Sequence, residues 1–267
     1  MTKHRAIHFI VPVLLIVLFL GNAHGDQVRV RSGIAIESSL PVPEVRVLSV
    51  NDGPQDVYEL KVVMETPWKT SETLVRPVWA VNEENRVLFN VSPDPGSKGR
   101  YPVIVELMFR DRAGIPMNVF EVSTFSMGHN DQPDIRLSSK GSRLYLSDDL
   151  EVMLVNAGKE DLTVNCRLVH PPSIAVERET METQLKASSS ATPVFHITNR
   201  YAAIGNVVPV YVVAEYRKVG IHDTVFTKTG ITVVSYREAY PWVRGLLWIL
   251  LVLSGVAALR LFYHQTP

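Results

Sequence analysis

The stretch VLFNVSPDPGSKGRYPVIVELMFRDRAG, residues 87–114, recurs downstream as PVFHITNRYAAIGNVVPVYVVAEYRKVG, residues 193–220. The matched positions are Phe89 with Phe195, Gly99 with Gly205, Pro102 with Pro209, Phe109 with Tyr216 and Gly114 with Gly220. The offset is about 106 residues, which exceeds the period of solenoid repeats and matches a small domain. An upstream pair agrees, since VLSVNDG at 47–53 resembles VMLVNAG at 152–158. The sequence therefore predicts two tandem copies of one domain.

Both copies show the short alternating patterns of antiparallel strands. In the first copy the alternation predicts Tyr58, Leu60, Val62 and Met64 on one face, with Glu59, Lys61 and Glu65 on the other. In the second it predicts Val210, Val212, Ala214 and Tyr216 on the inward face, and Cys166 as a buried, unreactive thiol. Short strands separated by turn signals, without a sustained helical period, indicate an all-β fold of two immunoglobulin-like antiparallel β-sandwiches.

The chain begins with the pattern of a secretory signal. MTKHRAIH is basic, residues 9–20 form the apolar run FIVPVLLIVLFL, and Ala23 and Gly25 place small residues before a cleavage point. We predict a signal peptide at 1–25, with an uncleaved N-terminal anchor as the alternative. The two sandwiches are then expected at 26–131 and 132–237, joined through the polar stretch after Gly128.

A second apolar segment lies near the C-terminus. GLLWILLVLSGVAAL, residues 245–259, has no charged residue and is framed by Arg244 and Arg260. As a helix it would be about 22 Å long, and flanking aromatic and arginine side chains extend its reach toward a bilayer core of roughly 30 Å. We predict a transmembrane helix at 238–263 and a short cytoplasmic tail at 264–267, with a buried core helix as the alternative.

Charge and cysteine content restrict the class of protein. Lys plus Arg equals Asp plus Glu at 27 each, and removal of the first 25 residues takes away Lys3 and Arg5 only. A slightly acidic chain argues against a nucleic-acid partner, which requires a basic surface. A single cysteine rules out an intrachain disulfide and favours a prokaryotic envelope location over a secreted eukaryotic one. We expect a single-pass cell-membrane protein with periplasmic or surface-exposed domains.

One motif carries a resemblance to a known family. Gly99-Arg100-Tyr101-Pro102-Val103-Ile104-Val105, followed by an aromatic residue and Asp111-Arg112-Ala113-Gly114, resembles the immunoglobulin-like modules of prokaryotic envelope and S-layer-type proteins, including the group called NEW3. The resemblance covers both copies and implies a β-sandwich without catalytic residues. The second copy lacks the acidic residue of this turn, since it has Arg217-Lys218-Val219-Gly220.

Motifs for chemistry are few. We interpret His222-Asp223-Thr224 as a solvated loop or strand edge, because adjacent residues of a strand alternate in direction and cannot form a catalytic triad. The nearest approach to a metal cluster is the linker set His129, Asn130, Asp131 and Asp134, which is more simply a polar linker. We therefore predict a protein that is not an enzyme and has no cofactor and no metal.

The favoured function is that of a structural or adaptor module that binds another envelope or membrane protein. The alternative is a module for a carbohydrate or surface ligand such as a polysaccharide. Its candidate ligand surface is Trp68 with Trp79, which a sandwich could equally bury in its core. A third hypothesis is a periplasmic assembly chaperone, which the predicted anchor disfavours.

Overall fold

The computed structural model describes residues 29–37, 43–128, 131–240, 242, 245, 248–250 and 252–254. In the N-terminal half, residues 29–128, the strands are β1 (Val30–Glu37), β2 (Glu44–Asn51), β3 (Val57–Glu65), β4 (Thr70–Trp79), β5 (Glu84–Asn90), β6 (Gly99–Arg110) and β7 (Pro116–Met127). In the C-terminal half, residues 131–240, they are β8 (Ile135–Ser139), β9 (Ser142–Leu144), β10 (Ser147–Asn156), β11 (Leu162–Val169), β12 (Ile174–Val176), β13 (Thr180–Leu185), β14 (Ser190–Ala191), β15 (Val194–Asn199), β16 (Val207–Lys218) and β17 (Ile221–Val233), followed by helix α1 (Tyr236–Ala239).

The strands are arranged in sandwich-like layers. A 3-stranded sheet of order β1-β2-β5 packs on the layer formed by β4, β3, β6 and β7. A 5-stranded sheet built on β12-β15-β10-β14, with β8 also paired to β10, packs on the layer formed by β13, β11, β16 and β17. The prediction of a mostly β chain with sandwich-like sheets is confirmed.

The core of the N-terminal half lies between its two layers. One layer contributes Val45, Val47 and Phe89, and the other contributes Val62, Met64, Val103, Val105, Leu107 and Phe109, all of them buried. Full burial of an aliphatic or aromatic side chain contributes about 1.5–3 kcal/mol. The alternation of apolar residues therefore both creates the strands and supplies the stabilisation that holds the layers together.

The inward face of β3 differs from the predicted one at its start. Val57 is fully buried, whereas Tyr58 is only partly buried and lies outside the core cluster. The pairing register of β3 with β6 shifts between Tyr58 and Lys61, and Glu59 has a φ of 55°. A bulge of this kind changes which residues face the core. The prediction that Tyr58 shares the inward face of Leu60 is wrong for this reason.

The C-terminal half repeats the pairing scheme of the N-terminal half. The pairs β2–β5, β3–β4, β3–β6 and β6–β7 correspond to β10–β15, β11–β13, β11–β16 and β16–β17. Cys166 is fully buried in this second core, and burial raises the pKa of its thiol to about 12. The thiol is therefore protonated and shielded, as the alternation of β11 predicts.

A buried asparagine closes the corresponding turn in each half. In both, the side-chain amide donates to two backbone carbonyls, and its oxygen accepts the N–H of the glycine two residues later. The bonds join Asn51 to Gln55 O (3.0 Å), Trp79 O (3.1 Å) and Gly53 N (3.1 Å), and Asn156 to Glu160 O (2.8 Å), Lys186 O (3.1 Å) and Gly158 N (2.9 Å). Each amide therefore ties a turn to a neighbouring strand connection by satisfying backbone groups.

Both predicted terminal segments fall largely outside the described residues. The signal peptide at 1–25 lies entirely outside them, and the transmembrane helix at 238–263 mostly so. Residues 242, 245, 248–250 and 252–254 are helical. Within the part of the chain that the structure describes, no helix has the length and apolar character required to cross a membrane.

Candidate functional site

A junction connects the two halves by continuing one sheet into the other. Strand β6 pairs in parallel with β17 through Gly99 and His222, which joins strands of both halves into a 9-stranded sheet. The backbone N–H of His222 also donates to Lys98 O at 3.2 Å. Gly99 has a φ of +133°, and a Cβ added there would lie 1.9 Å from His222 O. Glycine is therefore required for this approach of the two backbones.

At the junction, apolar side chains that point away from the core of each sandwich pack against one another. They are Ile104 and Val122 from the N-terminal half and Val169, Tyr211 and Val213 from the C-terminal half, all buried, with Phe120 partly buried beside them. Strand alternation does not predict these contacts, because it identifies only the faces that point into each sandwich. The available signal is VVPVYVVA at 207–214, an apolar run without polar alternation, which is typical of a strand covered on both faces.

Polar contacts surround this apolar patch. Arg167 donates two hydrogen bonds to the carboxylate of Glu65, at 2.6 and 2.8 Å, and this pairing raises the pKa of the guanidinium. Tyr211 donates its hydroxyl to Glu121 at 2.7 Å, and Lys228 lies 3.6 Å from the same carboxylate. Burial, with the bond to Glu121, raises the pKa of Tyr211 above its usual range. The phenol thus remains a donor at physiological pH.

His222, Asp223 and Thr224 lie within the junction. Asp223 and Thr224 are buried, at 6% and 1% exposure, so the interpretation of this triplet as a solvated loop or strand edge is wrong. The His222 ring stacks on Tyr101 with centroids 4.6 Å apart, and the Thr224 hydroxyl donates to Arg100 O at 3.0 Å. The sequence could not show this, because the burial comes from the other half of the chain.

Asp223 connects the junction to the link between the two halves. Its carboxylate accepts the Tyr216 hydroxyl at 2.9 Å, and that hydroxyl accepts the backbone N–H of Asp134 at 2.8 Å. The Asp134 carboxylate in turn accepts a hydrogen bond from Lys218 at 2.6 Å. Burial and the bond to Asp223 raise the pKa of Tyr216 above its usual range. These groups satisfy one another and hold the link against the second sandwich.

The linker set gives no metal centre among the described residues. No group of three or more His, Cys, Asp or Glu side chains with metal-binding geometry is found in that part of the chain. His129 and Asn130, two members of the sequence-based set, lie outside the described residues. Asp134 is already engaged with Lys218.

Trp68 and Trp79, the candidate ligand surface, both contact the core of the N-terminal half. Trp79 has 0% exposure and donates its indole N–H to Glu83 O at 2.8 Å. Trp68 is partly buried, with ring centroids 4.6 Å from Tyr101 and 5.9 Å from Phe125. Trp79 is therefore a core residue, which is the alternative to an exposed aromatic row, whereas Trp68 packs against the core and remains only partly buried.

The solvent side of the 3-stranded sheet is the strongest candidate for an interaction surface. Residues 44–48 read EVRVL and residues 84–88 read ENRVL, so β2 and β5 share the pattern Glu-x-Arg-Val-Leu. Strand alternation places the Glu, Arg and Leu of each strand on the side opposite the core. We call this surface the outer face and define it by Glu44, Arg46, Leu48, Glu84, Arg86 and Leu88.

The register makes the outer face nearly self-symmetric. Arg46 lies opposite Leu88, and Leu48 lies opposite Arg86. Leu48 is 43% exposed and Leu88 54% exposed. The arginines pair with glutamates of their own strands, Arg46 with Glu44 at 3.0 Å and Arg86 with Glu84 at 2.5 Å. Two exposed leucines between locally neutralised charges suit contact with another protein. The repeated pattern is visible in the sequence, but the antiparallel pairing that brings its copies together is not.

A polar groove lies in the C-terminal half. Its charged lining residues have mixed sign and comprise Lys140, Arg143, Asp148, Asp149 and Glu151. The Asp149 carboxylate pairs with His196 Nδ1 at 2.9 Å, and this bond raises the pKa of His196. None of the described residues that line the groove is aromatic. The groove therefore offers no ring surface on which a sugar could stack.

No protein-family model matches the chain, and no curated protein matches it. Comparison with solved structures finds distant β-rich neighbours. A Salmonella alpha-2-macroglobulin mutant has a TM-score of 0.31 and 11% identity, covering 77% of this chain and 16% of that one. Red sea bream transglutaminase has a TM-score of 0.27 and 11% identity, covering 76% and 31%. Escherichia coli alpha-2-macroglobulin has a TM-score of 0.29 and 10% identity, covering 76% and 17%. The chain thus spans less than a third of each neighbour, and similarities of this size carry no functional argument.

Proposed function

We propose that this is a non-catalytic, membrane-anchored protein of a prokaryotic cell envelope. Its two immunoglobulin-like domains, at 26–131 and 132–237, act as a structural adaptor that holds a binding surface for another envelope or membrane protein. The signal peptide and the C-terminal span give the chain an extracytoplasmic location with a single membrane crossing.

The observation that carries this proposal is the junction between the halves. A shared sheet, a buried apolar patch and the Arg167–Glu65 pair couple the two sandwiches into a continuous body. A coupled body can hold a surface at a defined distance from an anchor, which a flexible linker cannot do. The outer face on the N-terminal half, with Leu48 and Leu88 exposed, is the surface that this arrangement would present.

The test is site-specific crosslinking in intact membranes. A photoreactive p-benzoylphenylalanine replaces Leu88 on the outer face, and a matched variant carries it at Val194, which is 42% exposed on the C-terminal half. The full chain carries an affinity tag after Pro267, so that adducts are recovered and identified by mass spectrometry. We expect one dominant membrane or envelope protein crosslinked from position 88 and no such adduct from position 194.

A second variant checks that the contact depends on the outer face. Leu48→Glu with Leu88→Glu places charge on exposed positions, so folding should be retained while the partner is lost from captures made without crosslinking. Recovery of the chain alone, or with heterogeneous polysaccharide, would contradict the adaptor function and favour a surface-ligand module.

A further inference from the structure

Exposed apolar side chains gather at one end of the C-terminal half. Leu146, Ile204 and Val207 are 62%, 62% and 63% exposed. We call this end the basal surface; it comprises Leu146, Tyr201, Ile204, Val207, Tyr236, Tyr240 and Trp242, all of them exposed. An apolar cluster of this kind is unfavourable in water and marks a contact surface on a folded protein.

Backbone hydrogen bonds hold the segments of the basal surface side by side. Asn199 N donates to Leu146 O at 2.8 Å, which joins the start of β10 to the end of β15. Gly205 N donates to Val233 O at 2.8 Å, and Val234 N donates to Leu144 O at 2.9 Å. The basal surface is therefore built on the ordered ends of strands rather than on one protruding loop.

Aromatic rings extend the basal surface along the chain toward the C-terminus. Tyr145 lies 5.6 Å from Tyr236, Tyr236 lies 5.2 Å from Tyr240, and Tyr240 lies 6.5 Å from Trp242, all measured between ring centroids. Tyrosine and tryptophan combine an apolar ring with a polar group, and they are enriched where a membrane meets water.

The chain itself indicates what this end faces. The apolar run 245–259 begins three positions after Trp242, and the segments 144–147 and 200–207 contain Arg200 as their one charged residue. A bilayer that accepts the apolar run must lie close to the residues directly before it. We propose that the basal surface lies in the headgroup region of that bilayer, so that the C-terminal half rests on the lipid. This inference depends on the membrane anchorage proposed above.

The turn between β16 and β17, at the end of this hairpin farthest from the basal surface, provides a matched control. β16 has 12 residues, so at roughly 3.3 Å per residue its ends lie about 36 Å apart. Val219, in the turn between β16 and β17, is 83% exposed and apolar, like Ile204, but lies at the other end of this hairpin. A probe at position 204, on a basal surface that contacts lipid, and a probe at position 219, in water, should therefore report different surroundings.

The experiment measures contact with lipid by fluorescence quenching. The full-length chain is reconstituted in phosphatidylethanolamine–phosphatidylglycerol vesicles. Lipids brominated near the headgroup serve as the quencher for positions 204 and 219, and lipids brominated near the end of the acyl chain serve for position 250. Bimane is attached to a single new cysteine in Ile204→Cys, Val219→Cys or Leu250→Cys. The native Cys166 is buried and its pKa is raised to about 12, so it should not react, and the unsubstituted chain checks this. We expect severalfold stronger quenching at position 204 than at position 219.

The Leu250→Cys variant separates failure of the inference from failure of the anchorage. If position 250 is quenched and position 204 behaves like position 219, the basal surface does not contact lipid and the inference is overturned, while the anchorage stands. If position 250 is not quenched, membrane anchorage fails, and the inference, which depends on that anchorage, is overturned with it.

Discussion

Asn51 and Asn156 show how a single buried polar residue supports each half. Asparagine is usually exposed, so composition alone predicts neither side chain in a core. Both are nevertheless fully buried, because each amide satisfies backbone groups that the strands leave free. The recurring segments VLSVNDG and VMLVNAG predict the two turns, but the carbonyls of Trp79 and Lys186 that the amides reach lie far along the chain.

Replacement of Asn156 should destabilise the protein. Asn156→Ala removes the donor to the carbonyls of Glu160 and Lys186 and the acceptor of the buried Gly158 N–H, and we expect a loss of about 2–4 kcal/mol in the free energy of unfolding. Urea denaturation followed by circular dichroism measures it. Asn165→Ala, at an exposed position of β11, is the control and should change stability by less than about 0.5 kcal/mol. Equal effects of the two substitutions would show that the buried amide is not structurally important.

The strands divide into those with one solvent-exposed face and those that are covered on both faces. The alternation in β3, β5, β10 and β11 is regular enough to predict their inward residues, apart from the bulge at Glu59. β6 and β16 are covered on both faces, since Ile104 and Tyr211 are buried at the junction. Alternation cannot reveal this second burial, because the covering surface is the other half. The resemblance between the two copies likewise gives no information on how they pack.

The close approach of β6 to β17 should not tolerate a larger residue at Gly99. In Gly99→Ala the new Cβ would overlap His222 O, and the alanine would have to keep the positive φ of Gly99. We therefore expect a loss of about 3–5 kcal/mol in the free energy of unfolding. Proteolysis of the link near residues 128–134 should also become faster as the junction opens.

Gly96→Ala is the matched control for Gly99→Ala. Gly96 also has a positive φ, of +84°, but a Cβ there meets nothing within 4 Å. Its cost should be limited to backbone strain, about 1–2 kcal/mol, with unchanged proteolysis of the link. A Gly99→Ala variant no less stable than Gly96→Ala would contradict the geometry of the junction.

For the whole molecule, the junction determines how the two sandwiches behave together. Sequence patterns predict two sandwiches and a polar link between them, and an isolated pair of domains with such a link would move independently. The buried patch and the ion pairs between halves oppose that motion. They arise from residues such as Glu65 and Arg167, which are charged and unremarkable in the sequence until the fold brings them together.

The Arg167–Glu65 pair should contribute a measurable coupling between the halves. Both side chains are about a third or more exposed, at 35% and 42%, so solvent screening limits the expected coupling to about 0.5–1 kcal/mol. A double-mutant cycle of Glu65→Gln and Arg167→Gln, measured by urea unfolding, gives its value, which should fall in 1 M salt. The Lys61–Glu72 pair, within one half, is the comparison. A coupling of zero at low salt would mean that this pair does not help to join the halves.

The apolar patch of the junction also has a consequence in time. During translation, Ile104 and Val122 are added to the chain well before Tyr211 and Val213, which cover them in the folded protein. That segment follows roughly 90 residues later, which at about 5–20 residues per second is a delay on the order of 5–20 s. During this interval the N-terminal sandwich can fold, but the apolar surface formed by Ile104 and Val122 is not yet covered by Tyr211 and Val213. The biosynthesis of this protein therefore passes through an aggregation-prone stage, during which a holding chaperone would have the most effect.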